Sequence, residues 1–461
     1  MIMRFDGYTH THKSNLEYRD STNFESDLID KAIELGLKGI AITDHAVLSS
    51  HVDALLHLKE IRKKGIGEDF KLGLGTEIYL VDRQTVAEAR EKYEPTRFYH
   101  LILIAKNYEG YRALAELSSK SWEESFKYRG VLRIPTYKDY FHEWALKNRG
   151  NIIVTTACLG SEFSRLVVDY IKDQTEDNKG KIVSFLSWMY QLFQDDFYIE
   201  IQPSKISEEQ KAYNNLAIQI AEYYNIKVVI NTDAHYLSKD KKEIHSTYLK
   251  SQNAERETDE FYSSTYLMDD EELLEYFDYI PKEKFEEFCY NSIQLSEKIE
   301  EFDLFRKTEV PHTTIEFIPD QRSILAPLVL SNDKYPYIVK YGTSNEVVDR
   351  TLLQQIENGI IKKQIQITPI ELNRLNEELE ALWLISEKLN QRLSSYYLLT
   401  KEIVELIWTV SLVGVSRGSA GAFYICYLLE ITQINPLDYD LPYWRHISAT
   451  RPELPKLYWV V

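Results

Sequence analysis

Apolar positions in the first half of the chain switch between two periods. In Asp27–Leu35 they fall at 28, 29, 32, 33 and 35, the stripe of an amphipathic helix, and Gly36 is placed to end it. The short β-rich run Gly39–Thr43 follows and leads into Asp44 and His45. The arrangement recurs where Lys71–Gly75 runs into Glu77 and where Asn151–Thr156 runs into Cys158. Ile226–Asn231 follows the amphipathic stretch Gln210–Tyr224 and precedes Asp233 and His235. Strands alternating with helices predict an α/β fold with a parallel sheet or barrel. Polar residues just after the strands mark its C-terminal face, where such barrels build active sites. His100 departs from this rule, because it opens the apolar run Leu101–Ala105 instead of closing one.

From about Tyr262 the pattern becomes helical and acid-rich, over Asp269–Phe277 and Lys282–Phe302, then irregular around Pro311, Pro319 and Pro327. A second helical region covers about Val347 to Leu393. The boundary between the two halves is expected near residue 300, and the apolar faces around 396–430 are expected to promote association.

Composition changes the picture in two ways. The 461 residues are 44% hydrophobic and 27% charged, ordinary for a globular protein with a sizeable core. The formal net charge of −18 argues against a protein that coats nucleic acid. An enzyme acting on phosphate esters would then need bound cations or a localised basic groove. Cys158, Cys289 and Cys426 form no CxxC and read as thiols of a reducing compartment. Met1–His10 has no signal-like apolar core, and the apolar run Leu406–Val415 is too short to span a bilayer. A cytoplasmic protein with no membrane partner is the expectation.

The candidate chemistry starts at His10 and His12. On a strand, residues two apart share a side, so this pair can hold one metal ion. Alone, the pair is weak evidence. Further ligand types follow separate predicted strands: Asp44 and His45, Glu77, Cys158, and the second spaced pair Asp233 and His235. Imidazoles with carboxylates suit Zn2+, Mn2+ or Fe2+, and the set is larger than one ion needs. Each residue has a bland alternative: Asp44 as a helix cap, Glu77 solvated, Cys158 and His100 satisfied in the core. Those alternatives require the same coincidence at several strand ends.

The patterns HTH, AITDH, GTEIY, HLILIAKN, TTACLGSE and NTDAHYL, spread over residues 4–250, resemble the polymerase and histidinol phosphatase (PHP) domain. That domain stands at the front of bacterial DNA polymerase III alpha subunits. The resemblance implies a distorted β/α barrel over 1–300 whose metal ligands are His10, His12, Asp20, His45, Glu77, His100, Cys158, Asp233 and His235. It implies a metal-dependent phosphoesterase, with 3′→5′ exonuclease proofreading as the reaction and DNA 3′ ends as the substrate. Asp44 or His45 would assist proton transfer.

Further along, the glycine-rich segment Val413–Ala422 stands before the apolar run Phe423–Leu429. Small residues entering a helix bring backbone N–H groups close to an anion, and Arg417 adds a two-pronged phosphate donor, although such turns also serve tight packing alone. SRGSAG at 416–421, YLLEIT at 427–432 and NPLDYDL at 435–441 resemble the start of the palm domain of the same polymerases. By that resemblance Arg417, Gly418 and Ser419 receive the triphosphate of an incoming nucleotide, while Ser416 stands where a glycine is expected. This implies that 301–455 is a mostly helical, incomplete α+β palm segment.

In the family, paired aspartates holding Mg2+ follow the segment matched by Thr450–Pro455, but here 456–461 reads KLYWVV. That tail is expected to reflect an intron, a frameshift or a split polymerase completed by a second chain. Asp438 and Asp440 have the spacing of such a pair but match scaffold. Clamp and replisome proteins are further implied partners. Two other readings compete: a free-standing phosphatase for a small phosphomonoester, which leaves SRGSAG without a use, and a metal-free scaffold module.

Overall fold

Ten strands form in the first 230 residues: β1 (Phe5–Thr9), β2 (Gly39–Ile42), β3 (Lys71–Val81), β4 (Tyr99–Ala105), β5 (Phe126–Tyr128), β6 (Val131–Arg133), β7 (Thr136–Tyr137), β8 (Ile152–Thr155), β9 (Phe197–Ile201) and β10 (Val228–Ile230). The computed structural model describes residues 3–252, 260–306, 309–311, 317–319, 323–331 and 334–450. The main sheet runs in the order β1-β2-β3-β4-β8-β9-β10, with β7 beside β3 and a separate β5-β6 hairpin. A parallel bridge from Thr9 to Ala234 joins the first strand to the loop after the last, so the sheet wraps into a nearly closed barrel.

Helices pack around this sheet for the reasons visible in their sequences. In Glu25–Glu34, Leu28, Ile29 and Ala32 turn inward, and Gly36 takes the left-handed conformation (φ 73°) that ends the helix. Strands β2, β8, β9 and β10 are buried at every residue, as in a sheet covered on both faces.

Two features depart from the expected parallel sheet. β4 runs antiparallel to both neighbours, β3 and β8. Its first residues therefore lie at the barrel end where parallel strands have their last ones, which is why His100 opens its apolar run. β3 also continues to Val81, so Glu77 sits within a strand and bridges to His45 instead of following a strand end.

The chain divides into two units, Met1–Phe305 and Arg306–Val461. Among its described residues the second unit is helical, built on Val347–Lys362, Pro369–Leu389 and Ser394–Val410, with no strand. Pro369–Leu389 is delimited by local chemistry. Thr368 caps the N-terminus in a reciprocal capping box with Glu371, Pro369 occupies the first turn, and Asn390 (φ 52°) closes the C-terminus. Leu352, Ile356, Leu379, Leu382, Tyr397 and Phe423 belong to its core. Val410 and Leu412 are 82% and 78% exposed. No helix among the described residues is long and apolar enough to cross a membrane. The tail 456–461 lies outside the described residues.

Candidate metal centre

Backbone breaks at strand ends deliver most of the cluster. β1 stops at Thr9, where His10 N–H donates to Ala234 O (3.0 Å) and Ala234 N–H donates to Tyr8 O (3.2 Å). This closure sets His10 beside Asp233 and His235. Asp233, Ala46 and Ala157, each adjoining predicted ligands, have φ of 51°, 54° and 58°. Left-handed non-glycine residues are costly and concentrate at functional sites.

The early end of β1 also separates the first histidine pair. His12 begins a 3-10 turn, His12–Ser14, instead of sharing a strand face with His10. Its ring faces Phe24 (4.7 Å between centroids), and Nδ1 lies 3.8 Å from Glu25 Oε2.

The other eight proposed ligands converge. His10, His45 and His235 each present a ring nitrogen within 4.8 Å of the other two. Glu77 lies among three imidazoles: His45 Nδ1 at 3.1 Å, His100 Nδ1 at 2.8 Å and His10 Nε2 at 3.5 Å. Asp20 Oδ2 lies 2.7 Å from His45 Nε2 and 3.2 Å from His235 Nε2, while Oδ1 accepts from the Tyr262 hydroxyl at 2.7 Å. Cys158 Sγ is 3.4 Å from His100 Nδ1 and 3.8 Å from the Tyr8 hydroxyl, which also donates to Glu77.

Charge in this group is mutually dependent. Burial pushes the Glu77 carboxyl up, but the His100 and His45 imidazoles outweigh it and hold the group well below the usual carboxylate range. Burial likewise opposes ionisation of Asp20, and His235 and His45 overcome it. Against the same desolvation, Glu77 and Asp20 raise His45, and Glu77 raises His100, well above the ordinary imidazole range.

One ligand type is left unsatisfied. Asp233 Oδ1 lies 3.2 Å from His10 Nε2 and 3.5 Å from His235 Nδ1, which gives attraction without hydrogen-bond geometry. Both Asp233 oxygens and His10 Nε2 are buried with no hydrogen-bond partner. Burying a carboxylate without donors is costly, and a divalent cation is the group that relieves it. The residues present therefore fit a metal ion.

Asp44 is different. Its carboxylate accepts from Thr11 N (2.6 Å), Thr11 Oγ1 (2.8 Å), Ser14 Oγ (2.7 Å) and Ser50 Oγ (2.5 Å). Those four bonds saturate it as the brace of the loop after β1. Ser14 carries the brace to the cluster, because its hydroxyl also meets His10 Nδ1 at 3.1 Å. Sequence reasoning missed Ser14 and Tyr8. Nothing local in HTHKS distinguishes Ser14 from a surface serine, and Tyr8 reads as one more strand residue.

A cleft of about 870 Å³ opens from Asp20, His45, His100, Cys158, Asp233 and His235.

In the second unit, Gly418–Ala422 forms a 3-10 turn with Gly418 at φ 69°. Arg417 is exposed, and Ser419 Oγ lies 3.1 Å from His446 Nδ1. A Cβ on Gly421 would press on Ser416 Oγ, which would have to turn aside. The expected anion-binding helix start is not available here. Glu378 already accepts from Tyr424 N (2.7 Å) and Ile425 N (2.8 Å), the first amides of the five-residue helix Tyr424–Leu428. Asp438 and Asp440 are exposed at a 3-10 turn, where Asp438 accepts from Asn435 Nδ2 at 2.9 Å.

Residues 9–204 match the PHP domain family, and residues 347–457 match the family described as the bacterial DNA polymerase III alpha NTPase domain. Probable DNA polymerase YorL of Bacillus subtilis (strain 168) is 40% identical over 98% of this chain and 36% of its own length. The DNA-directed DNA polymerase of Bacillus phage SPbeta matches to the same extent. DNA polymerase III subunit alpha of Borreliella burgdorferi is 26% identical over 97% of this chain and 34% of its own length. The chain thus spans about a third of the length of these relatives.

Proposed function

The chain belongs to the bacterial DNA polymerase III alpha type, and from that premise we propose that its barrel is a divalent-metal-dependent 3′→5′ exonuclease acting on DNA ends. The buried Asp233 carboxylate, left without a donor beside His10 in a cluster that opens to a cleft, carries this reading.

His10, Asp20, His45, Glu77, His100, Cys158, Asp233 and His235 would hold the ions, Zn2+, Mn2+ or Fe2+ by their donor chemistry. When bound, such ions neutralise charge at phosphorus and make water acidic enough to attack it near neutral pH. The chain's own residues set up that arrangement. Asp44 holds Thr11 and Ser14, and Ser14 fixes the orientation of the His10 ring, so Asp44 is a positioning residue. His45 meets Glu77 and Asp20 through its two ring nitrogens, which places it inside the cluster as a ligand or a proton carrier. The Tyr8 hydroxyl steadies Glu77 from the barrel interior. His12 Nδ1 is also buried without a hydrogen-bond partner, but it lies 3.8 Å from Glu25 and apart from the eight converging residues, so it is left out of this assignment.

In the longer polymerases, the loop at Arg417, Gly418 and Ser419 would meet the triphosphate of a nucleotide, and nucleotide addition would require Mg2+ held by paired carboxylates. The exposed Asp438 and Asp440 offer no such pocket.

The test is hydrolysis of a 5′-labelled single-stranded oligonucleotide and of p-nitrophenyl phosphate, with Zn2+ or Mn2+ and with EDTA. Stepwise shortening of the oligonucleotide that EDTA abolishes is expected. Hydrolysis of the monoester alone would favour a small-molecule phosphatase, and inactivity on both a scaffold.

A further inference from the structure

One wall of the cleft is a basic hairpin that metal binding does not explain. β5 and β6 are joined by Arg129 and Gly130, both at positive φ (52° and 80°), the backbone of a tight two-residue hairpin turn. Lys127, Arg129 and Arg133 bring three cations into this short element of a chain whose net charge is −18. Glu17 holds it in place, accepting from Leu132 N at 2.6 Å and pairing with Lys127 Nζ at 2.9 Å. Glu17 lies in the same loop as Asp20, so the hairpin is tied to a segment that supplies the centre.

Arg133 lines the cleft and stacks its guanidinium on Phe98, 5.2 Å from the ring centroid. Its Nε is buried with no hydrogen-bond partner, and among the described residues it forms no ion pair. Nearby carboxylates do not compete for it, because Asp20 and Glu77 are held by histidines. Tyr79 continues the aromatic wall inward, stacked against His45 at 5.9 Å and edge-on to His100 at 5.3 Å. A guanidinium held over a ring at the cleft, with no ion pair among the described residues, matches a phosphate oxygen pair. The half-buried Tyr79 ring that lines the cleft matches a nucleobase, since bases stack without regard to sequence.

We propose that Arg133 and Tyr79 form a strand-binding subsite for single-stranded DNA, in which Arg133, backed by the buried Phe98 ring, grips a backbone phosphate next to the one being cleaved and the Tyr79 ring stacks the terminal base. This rests on the phosphodiesterase reading above and adds to it the reason for strand selectivity. A small phosphate ester occupies the centre alone and gains nothing from the hairpin. A DNA strand carries a second phosphate to Arg133.

The experiment compares wild type, Arg133→Gln and Arg133→Lys on an oligodeoxythymidylate and on bis(p-nitrophenyl) phosphate, both with Mn2+. Fluorescence anisotropy of the labelled oligonucleotide is measured on the same proteins with Ca2+ in place of Mn2+. For Arg133→Gln the ratio of kcat/KM on the oligonucleotide to that on the diester is expected to fall by roughly tenfold or more, through KM, with a matching loss of binding. Arg133→Lys restores part of both. An unchanged ratio, or equal loss on both substrates with unchanged anisotropy, overturns the subsite. If no protein hydrolyses either substrate, the phosphodiesterase reading fails. Anisotropy then decides the subsite alone: weaker binding by Arg133→Gln upholds it and equal binding rejects it.

Discussion

The buried carboxylates of the helical unit and Asp233 of the barrel are treated in opposite ways. Among the described residues of the helical unit each buried carboxylate has its donors. Glu378 pairs with Arg374 at 2.7 Å and accepts two backbone amides. Asp349 is met by Arg392 (2.6 Å), Ser344 (2.7 Å) and Ser394 (2.5 Å), and Glu357 accepts from Ser323 and the amides of Ile324 and Leu325. In the barrel, Asp233 is buried just as deeply with no donor at all. A satisfied carboxylate is part of the scaffold; an unsatisfied one among imidazoles marks where another charge belongs.

The largest effect expected from this contrast is at Glu378. Glu378→Ala leaves Arg374 without its carboxylate and two helix amides without an acceptor, and should cost about 3–5 kcal/mol in chemical denaturation. In EDTA, Asp233→Asn should raise stability or leave it unchanged, because a buried charge is removed and no hydrogen bond is lost. A loss as large as that at Glu378 would erase the distinction.

Glu200 sharpens it. This barrel carboxyl accepts from Thr155 (2.6 Å), Asn231 (2.6 Å) and Gln202 (2.9 Å), yet burial first, and then the charge of Asp233, push it up to about 8. A raised folded value means its stabilisation is complete below about 4.5 and is lost as pH rises through about 8. Glu200→Gln should flatten the pH dependence of stability across that window, by at most about 1.4 kcal/mol per pH unit. The smallest effect lies on the surface. Replacing Val410 and Leu412 by serine should lower light scattering from self-association and shift stability by no more than about 0.5 kcal/mol each.

Much of the barrel was legible because its strands are short apolar runs bounded by glycine and polar residues, as in Gly39–Thr43. What the pattern did not carry was direction and register. Periodicity cannot tell an antiparallel strand from a parallel one, so His100 stood as an exception until β4 proved reversed. The shared face expected for His10 and His12 assumed a strand that in fact ends at Thr9, before either of them. Asp44 was expected at the chemistry, but the hydroxyls of Thr11, Ser14 and Ser50 that saturate it meet only in three dimensions. Arg133 escaped notice for the same reason, since Phe98 and Glu17 are remote from it in sequence. Glu378 was equally hidden, because the amides it caps begin 46 residues later.

The account stands on cations at the histidine-carboxylate cluster, and metal analysis of the purified chain tests that most directly. Wild type should carry Zn2+, Mn2+ or Fe2+ in at least equimolar amount after exhaustive dialysis, whereas His10→Ala and Asp233→Asn, folded by circular dichroism, should lose most of it. A wild-type chain that retains no divalent metal after incubation with any of the three ions would contradict the account.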